Sequence, residues 1–230
     1  MKHMNSFKHI FFDLDHTIWD FDKNSKFTFK KIFQLNNINL DIDVFLEAYL
    51  PINTSYWKLY RANNISKQDL RFGRLKDTFK SIDLNISTKL IHKLSEDYIK
   101  FLSTFNFLIE DSLKVLEYLN KKYTLHIITN GFQEVQNEKL LNSNIYHFFS
   151  TITNSEMVGV KKPNKKIFQV ALDKANANKT NSIMIGDNLD ADVIGALKFG
   201  MSSILFNFHK EDVPADIDSI DKLDELIKLF

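Results

Sequence analysis

From about residue 110 onward, single amphipathic helices alternate with short apolar runs, and few folds accept that alternation. "EDSLKVLEYLNKK" feeds "YTLHIIT", and "FQEVQNEKLLNSN" precedes "FFSTIT". "PNKKIFQVALDKAN" precedes "SIMIGD", "LDADVIGALKFG" precedes "MSSILFNF", and "IDKLDELIKLF" closes as a helix. An earlier run, "HIFFDLD", is equally apolar, aromatic and β-branched before it turns polar, as a buried strand is. Strands joined by single helices imply βαβ units with right-handed crossovers. The expected fold class is therefore α/β, a Rossmann-like parallel sheet with helices on both faces. Gly200 is placed as a helix C-cap and Pro163 in the first turn of a helix.

About eighty residues separate the first two strands, and they read as helical. Ser66 stands three residues before Asp69, as in a capping box. Leu90, Leu94, Tyr98 and Leu102 form an i, i+4 stripe that Phe101 and Phe105 widen. Pro51 is expected to break any helix through "FLEAYLPINTSYW". The expected organisation is a core of residues 1–20 and 106–230 with a helical insertion at 21–105.

Composition narrows the function classes. The 230 residues are 44% hydrophobic and 26% charged, which suits a globular chain with a sizeable core. A net charge of +1 without a long basic run argues against a nucleic-acid polymer as partner. With no cysteine there is no disulfide, zinc–thiolate site or thiol nucleophile. No apolar run approaches a membrane span, and "MKHMNSFKHIFFDLD" has no signal-peptide core. The expectation is a cytoplasmic protein, monomer or homodimer, acting on a small molecule.

The chain carries five Asp-x-Asp pairs: Asp13/Asp15, Asp20/Asp22, Asp41/Asp43, Asp190/Asp192 and Asp216/Asp218. Only the first follows a buried strand, and ligands of open parallel sheets bind beyond the carboxyl ends of strands. Two other strands end similarly, in Thr129-Asn130-Gly131 and in Gly186-Asp187-Asn188. Asp13 and Asp15, at i and i+2, can point into one site, where two carboxylates repel unless a cation joins them or one is protonated. Asp187 adds an oxygen, and an all-oxygen set without imidazole or thiolate suits Mg²⁺. Thr129 and Asn130 offer neutral donors, and Lys162, just before Pro163, offers a cation, so the site fits a phosphate group. Lys161, Lys165 and Lys166 read as a solvated cluster.

"DLDHT", "ITNG", "KKP" and "GDNLDAD", in that order, resemble the four motifs of the haloacid dehalogenase-like hydrolase superfamily. The helical insertion after the first motif is similar to that superfamily's C1 cap. "FFDLDHTIWDFD", "ITNGF" and "EMVGVKKPNKKIF" look like the YjjG-type pyrimidine 5'-nucleotidases. The resemblance implies a Mg²⁺-dependent phosphatase of phosphomonoesters. Asp13 would be the nucleophile and Asp15 the general acid and base. Asp13, the Asp15 backbone carbonyl and Asp187 would hold the metal. Thr129, the amide beside it and Lys162 would hold phosphate, with Asp192 supporting Lys162 or a metal-bound water.

Plainer roles compete for the neighbours. His16 could touch a metal or none; Asn188 and Asp190 could cap a helix instead of touching ligand. Trp19, Phe21, Tyr56, Trp57 and Tyr60 could stack on a base, but packing suits them better. Arg61, one of three arginines, could meet substrate or a surface acid. Alternative activities are a sugar-phosphate phosphatase or phosphomutase, a metal-independent haloacid dehalogenase, and a non-catalytic binding module.

Overall fold

A short strand, β1 (His9–Phe12), apolar after its first residue, lies inside the sheet, with a parallel partner on each side. The protein is described by a computed structural model over residues 6–230. Five further strands follow: β2 (Thr124–Thr129), β3 (Phe149–Asn154), β4 (Ser182–Gly186), β5 (Ser202–Phe206) and β6 (Ser219–Ile220). They pair in parallel in the order β3-β2-β1-β4-β5-β6. The chain winds outward from β1 to β3, then returns beside β1 as β4 and winds the other way. The switch point of strand order therefore falls between β1 and β4.

Register fixes what meets there. Phe12 pairs with both Ile127 and Ile185, so Asp13 comes level with Ile128 and Gly186. Its amide continues the ladder, donating to the Ile185 carbonyl at 2.9 Å. Thr129 and Asp187 follow one residue further along their own strands. The sheet's interior strands are buried on both faces, which is why they read as continuous apolar runs.

Four helices occupy the insertion: α1 (Phe21–Leu35), α2 (Ile42–Arg61), α3 (Lys67–Ser81) and α4 (Thr88–Leu102). Ser66 and Asp69 form the expected capping box on α3. The helix through Pro51 does not break. It runs unbroken from Ile42 to Arg61 because Phe45, Tyr49 and Tyr60 are buried on both sides of the proline. An interior proline costs about 3 kcal/mol, whereas each such buried side chain contributes roughly 1.5–3 kcal/mol. The carbonyl deprived of its partner belongs to Glu47, which is exposed. Phe29 centres this aromatic core, with ring centroids 4.6 Å from Tyr98 and 4.7 Å from both Phe45 and Tyr49. The guanidinium of the buried Arg74 lies over Tyr98 at 4.9 Å and donates to Asn53.

The remaining helices flank the sheet: α5 (Ser112–Leu119), α6 (Gln133–Asn142), α7 (Ser155–Val158), α8 (Lys165–Ala175), α9 (Gly195–Phe199) and α10 (Glu225–Leu229). Gly200 ends α9 at φ 95°, where glycine is favoured. Pro163 lies outside the helix it was expected to open, because Asn164 is the N-cap of α8 and accepts from the Lys166 amide. "LDADVI" winds as a π-helical turn, Leu189–Ile194, before α9. One compact unit runs to Phe21 and resumes from Asn106 to Phe230, and the other is Asp22–Phe105.

Candidate active site

Beyond the carboxyl end of β1 the chain turns sharply, with the Ile18 and Trp19 amides donating back to the Leu14 carbonyl. That turn presents Asp13 and Asp15 to different partners. Asp13 is buried, and its Oδ1 lies 2.5 Å from Lys162 Nζ. The same ammonium lies 2.6 Å from Asp192 Oδ1 and donates to the Ile128 carbonyl. Asp192 Oδ2 accepts from the Asn188 amide, and Asn188 Oδ1 caps the π-helical turn at the Ala191 amide. Gly186 must lack a side chain, since a Cβ there would come within 2.3 Å of Asp192 Oδ2.

Asp15 is clamped from α6. Lys139 Nζ stands 2.5 Å from its Oδ1, and Gln136 Nε2 donates to its Oδ2 at 3.0 Å. Gln136 also donates to Thr129 Oγ1 at 2.6 Å. Lys139 packs over Trp19 at 4.2 Å and Phe21 at 5.4 Å from the ring centroids. Trp19 and Phe21 are buried, so their faces serve packing and this cation. Sequence reasoning missed Gln136 and Lys139. The available signal was two polar residues at i, i+3 within the buried stripe of Val135 and Leu140.

Asn130 turns its side chain away from the role of free donor. Its Nδ2 donates to the Lys162 carbonyl and its Oδ1 accepts from the Lys162 amide. The side chain thus fixes the backbone that aims Lys162 at Asp13. Thr17 holds Asp187: its hydroxyl accepts from the Asp187 amide and donates to Oδ1, both at 3.1 Å. Asp190 is exposed and stays outside the cluster.

The electrostatics follow from crowding and burial. Burial pushes the Asp13 carboxyl well above the usual range; Lys162 opposes the shift, while Asp192, Asp187 and Asp15 add to it. Burial likewise raises Asp192. Burial works against ionisation of Asp187 too, but His209 and His16 outweigh it and bring that carboxyl below its ordinary value. Burial lowers the Lys139 ammonium despite Asp15. For Lys162, burial is outweighed by Asp13 and Asp192, which hold it protonated.

Four carboxylates, Asp13, Asp15, Asp187 and Asp192, crowd around two lysines, so acids outnumber the ammonium groups that face them. Oxygens of Asp13, Asp187 and Asp192 lie within 4.8 Å of one another. A hard divalent cation with oxygen ligands fits that donor set and that charge.

Residues 7–200 match the family model of the haloacid dehalogenase-like hydrolases. The chain belongs to that family. It is 29% identical to the pyrimidine 5'-nucleotidase YjjG of Escherichia coli over 96% of both chains. It is 30% identical to the glyceraldehyde 3-phosphate phosphatase of Methanothermobacter thermautotrophicus, over 97% of this chain and 99% of that one. The crystal structure of the HAD-hydrolase YfnB from Bacillus subtilis bound to magnesium superposes with a TM-score of 0.86 at 26% identity. It covers 97% of this chain and 98% of YfnB. Within this family of hydrolases the helical insertion after β1 corresponds to the C1 cap. No helix among the described residues is long and apolar enough to cross a membrane.

Proposed function

We propose that the protein is a phosphatase that hydrolyses phosphomonoesters through an aspartyl-phosphate on Asp13, with a pyrimidine nucleoside 5'-monophosphate as its substrate. The observation that carries the chemistry is the separation of the two strand-end acids. Asp13 sits on the buried lysine Lys162, while Asp15 is held apart by Lys139 and Gln136. One acid is thereby positioned to attack and the other to manage protons.

In the first half-reaction an Asp13 oxygen bonds to phosphorus and the ester P–O bond breaks. Asp15 delivers its proton to the departing alkoxide. In the second, water attacks phosphorus, Asp15 takes its proton, and the bond to Asp13 breaks to release inorganic phosphate. Lys162, Thr129 and the Asn130 backbone amide would bind the phosphoryl oxygens, where developing charge is stabilised best by groups already in place. Asp13, the Asp15 carbonyl and Asp187 would hold Mg²⁺, with Asp192 supporting through Lys162. Bound there, Mg²⁺ would supply positive charge that eases approach of a carboxylate to a phosphate dianion. A metal-independent dehalogenase would need neither Asp15 nor Asp187, and both are elaborately held.

Relatives of similar identity carry the names of nucleotidases and of glyceraldehyde 3-phosphate phosphatases, which gives a sugar-phosphate phosphatase as the second reading. Phosphate release from the purified chain with Mg²⁺ separates them. A pyrimidine monophosphate should exceed glyceraldehyde 3-phosphate in kcat/KM by about tenfold or more, which is about 1.4 kcal/mol of transition-state discrimination. The reverse order establishes the second reading, and no hydrolysis of either sinks both.

A further inference from the structure

Asp187 faces a second set of ligands that the phosphatase chemistry does not use. His209 Nε2 lies 3.3 Å from Asp187 Oδ2, and His16 Nδ1 lies 4.0 Å from the same oxygen. The two imidazoles sit against each other at a centroid distance of 4.9 Å. Each of the three residues can offer a ligand atom within 4.8 Å of the others. They come from three separate places in the chain: the turn after β1, the end of β4, and the turn after β5. His209 is 41% exposed in its side chain and His16 20%, so an ion can reach them from solvent.

The donor chemistry differs from that of the neighbouring cluster. Asp13, Asp187 and Asp192 offer oxygens only, whereas this trio offers two imidazole nitrogens and one carboxylate oxygen. Two histidines and a carboxylate with a remaining open position suit Zn²⁺ and its neighbours in the first transition row. Magnesium, which avoids nitrogen ligands and dehydrates reluctantly, has little to gain there. Oδ1 of Asp187 already accepts the Thr17 hydroxyl, leaving Oδ2 as the oxygen more open to a cation.

We infer that His16, Asp187 and His209 form a binding site for a divalent transition-metal ion, distinct in ligand type from the Mg²⁺ site and competing with it for Asp187. The site gives the protein an inhibitory response to Zn²⁺ or Co²⁺: occupation withdraws Asp187 from the magnesium that the proposed phosphatase needs. Only this competitive part rests on the proposed function; the binding itself does not.

The test uses the metal-free 230-residue chain titrated with Zn²⁺ by calorimetry and with Co²⁺ by visible absorption. One ion per chain should bind, and Co²⁺ should show ligand-field bands of a nitrogen-containing site. His209→Ala and His16→Ala should each weaken binding by about tenfold or more, since even indirect partners of a metal contribute 10- to 100-fold. Mg²⁺ affinity should fall far less than Zn²⁺ affinity in His209→Ala, and Zn²⁺ inhibition should require correspondingly more metal. His209→Gln, which keeps a polar side chain on an exposed turn, guards against a folding artefact and should behave like alanine. Equal Zn²⁺ affinity in the wild type and these variants overturns the site. Zn²⁺ binding indifferent to saturating Mg²⁺ overturns the sharing of Asp187. A chain that binds Co²⁺ through the histidines but hydrolyses no phosphomonoester sinks the phosphatase reading alone.

Discussion

Lys139 reaches Asp15 from α6, its ammonium 2.5 Å from the carboxylate and above the ring of Trp19. With Gln136 on the other oxygen, the proposed general acid has one fixed orientation before any substrate arrives. Positioning of this kind affects proton delivery, not phosphate binding. Lys139→Met should therefore lower kcat on alkyl phosphates, whose leaving groups need a proton, by about a hundredfold, the lower end of what general acids contribute. On an aryl phosphate with a good leaving group the loss should be much smaller. Equal losses on both would mean that Lys139 acts on something other than Asp15.

Asp13→Asn should abolish turnover while preserving the fold. An amide is a poor nucleophile and gives Lys162 no counter-charge, but Asp192 still pairs with that lysine, so the buried cation is not stranded. Multiple-turnover activity in this variant, with deamidation excluded by mass spectrometry, would remove Asp13 from the nucleophile's role.

Metal dependence follows from the crowding of carboxylate oxygens from Asp13, Asp187 and Asp192. Chelation should abolish activity and Mg²⁺ restore it, whereas Ca²⁺, larger and content with irregular coordination, should restore little. Full activity with chelator and no bound metal by elemental analysis would redirect attention to the dehalogenase chemistry.

Stability should carry a signature from the sheet itself. His126 on β2 is buried, stacks on Phe11 at 4.5 Å, and meets His9 and Thr151 through its two nitrogens. Burial, with His9 adding to it, lowers its pKa from 6.5 to about 4. The unfolded chain then binds the proton more readily than the folded one, so stability falls as pH drops from 6.5 towards 4. Discounted for residual solvent screening, the loss is about 2 kcal/mol. His126→Gln, which cannot titrate, should flatten the melting temperature across that window. An unchanged slope would assign the acid sensitivity to other groups.

We also propose that the insertion supplies recognition of the leaving group, with Trp57 as the stacking face. Tyr56 bonds Asp77 at 2.7 Å, its hydroxyl pushed up to about 12 by burial and that carboxylate, and Tyr60 is buried. Trp57 is only partly buried, edge-on to Tyr60. Trp57→Ala should lower kcat/KM for a pyrimidine monophosphate by about ten- to a hundredfold, matching 1–3 kcal/mol of stacking. A small generic phosphoester should be hydrolysed as before. Parallel losses on both substrates would place recognition on other residues.

The parallel sheet was legible because strands covered on both faces must be mostly apolar, and β1, β2, β4 and β5 are. The polar residues that end such runs stand out for the same reason, which is how Asp13, Thr129 and Asp187 declared themselves. β6 was not legible: two residues carry no period. Pro51 misled because local propensity was outweighed by aromatic burial on either side of it, a tertiary effect. Gln136, Lys139 and His209 were hidden differently. Each acts on an acid more than twenty residues distant in sequence, and only the sheet register brings them together.

Where the insertion leaves the core and returns, the two crossing segments are tied to each other. The Asp20 amide donates to the Phe107 carbonyl, Trp19 bridges Leu108 in antiparallel fashion, and the Ile109 amide donates to Ile18. Eighty-four residues, Asp22–Phe105, thus hang from a two-stranded stem whose closure is made within the core. Such a stem makes the insertion exchangeable. A different set of helices, or a short hairpin, can be grafted between positions 21 and 106 without rethreading the sheet. Under the proposed function, a changed insertion would change substrate range while the strand ends stay in register.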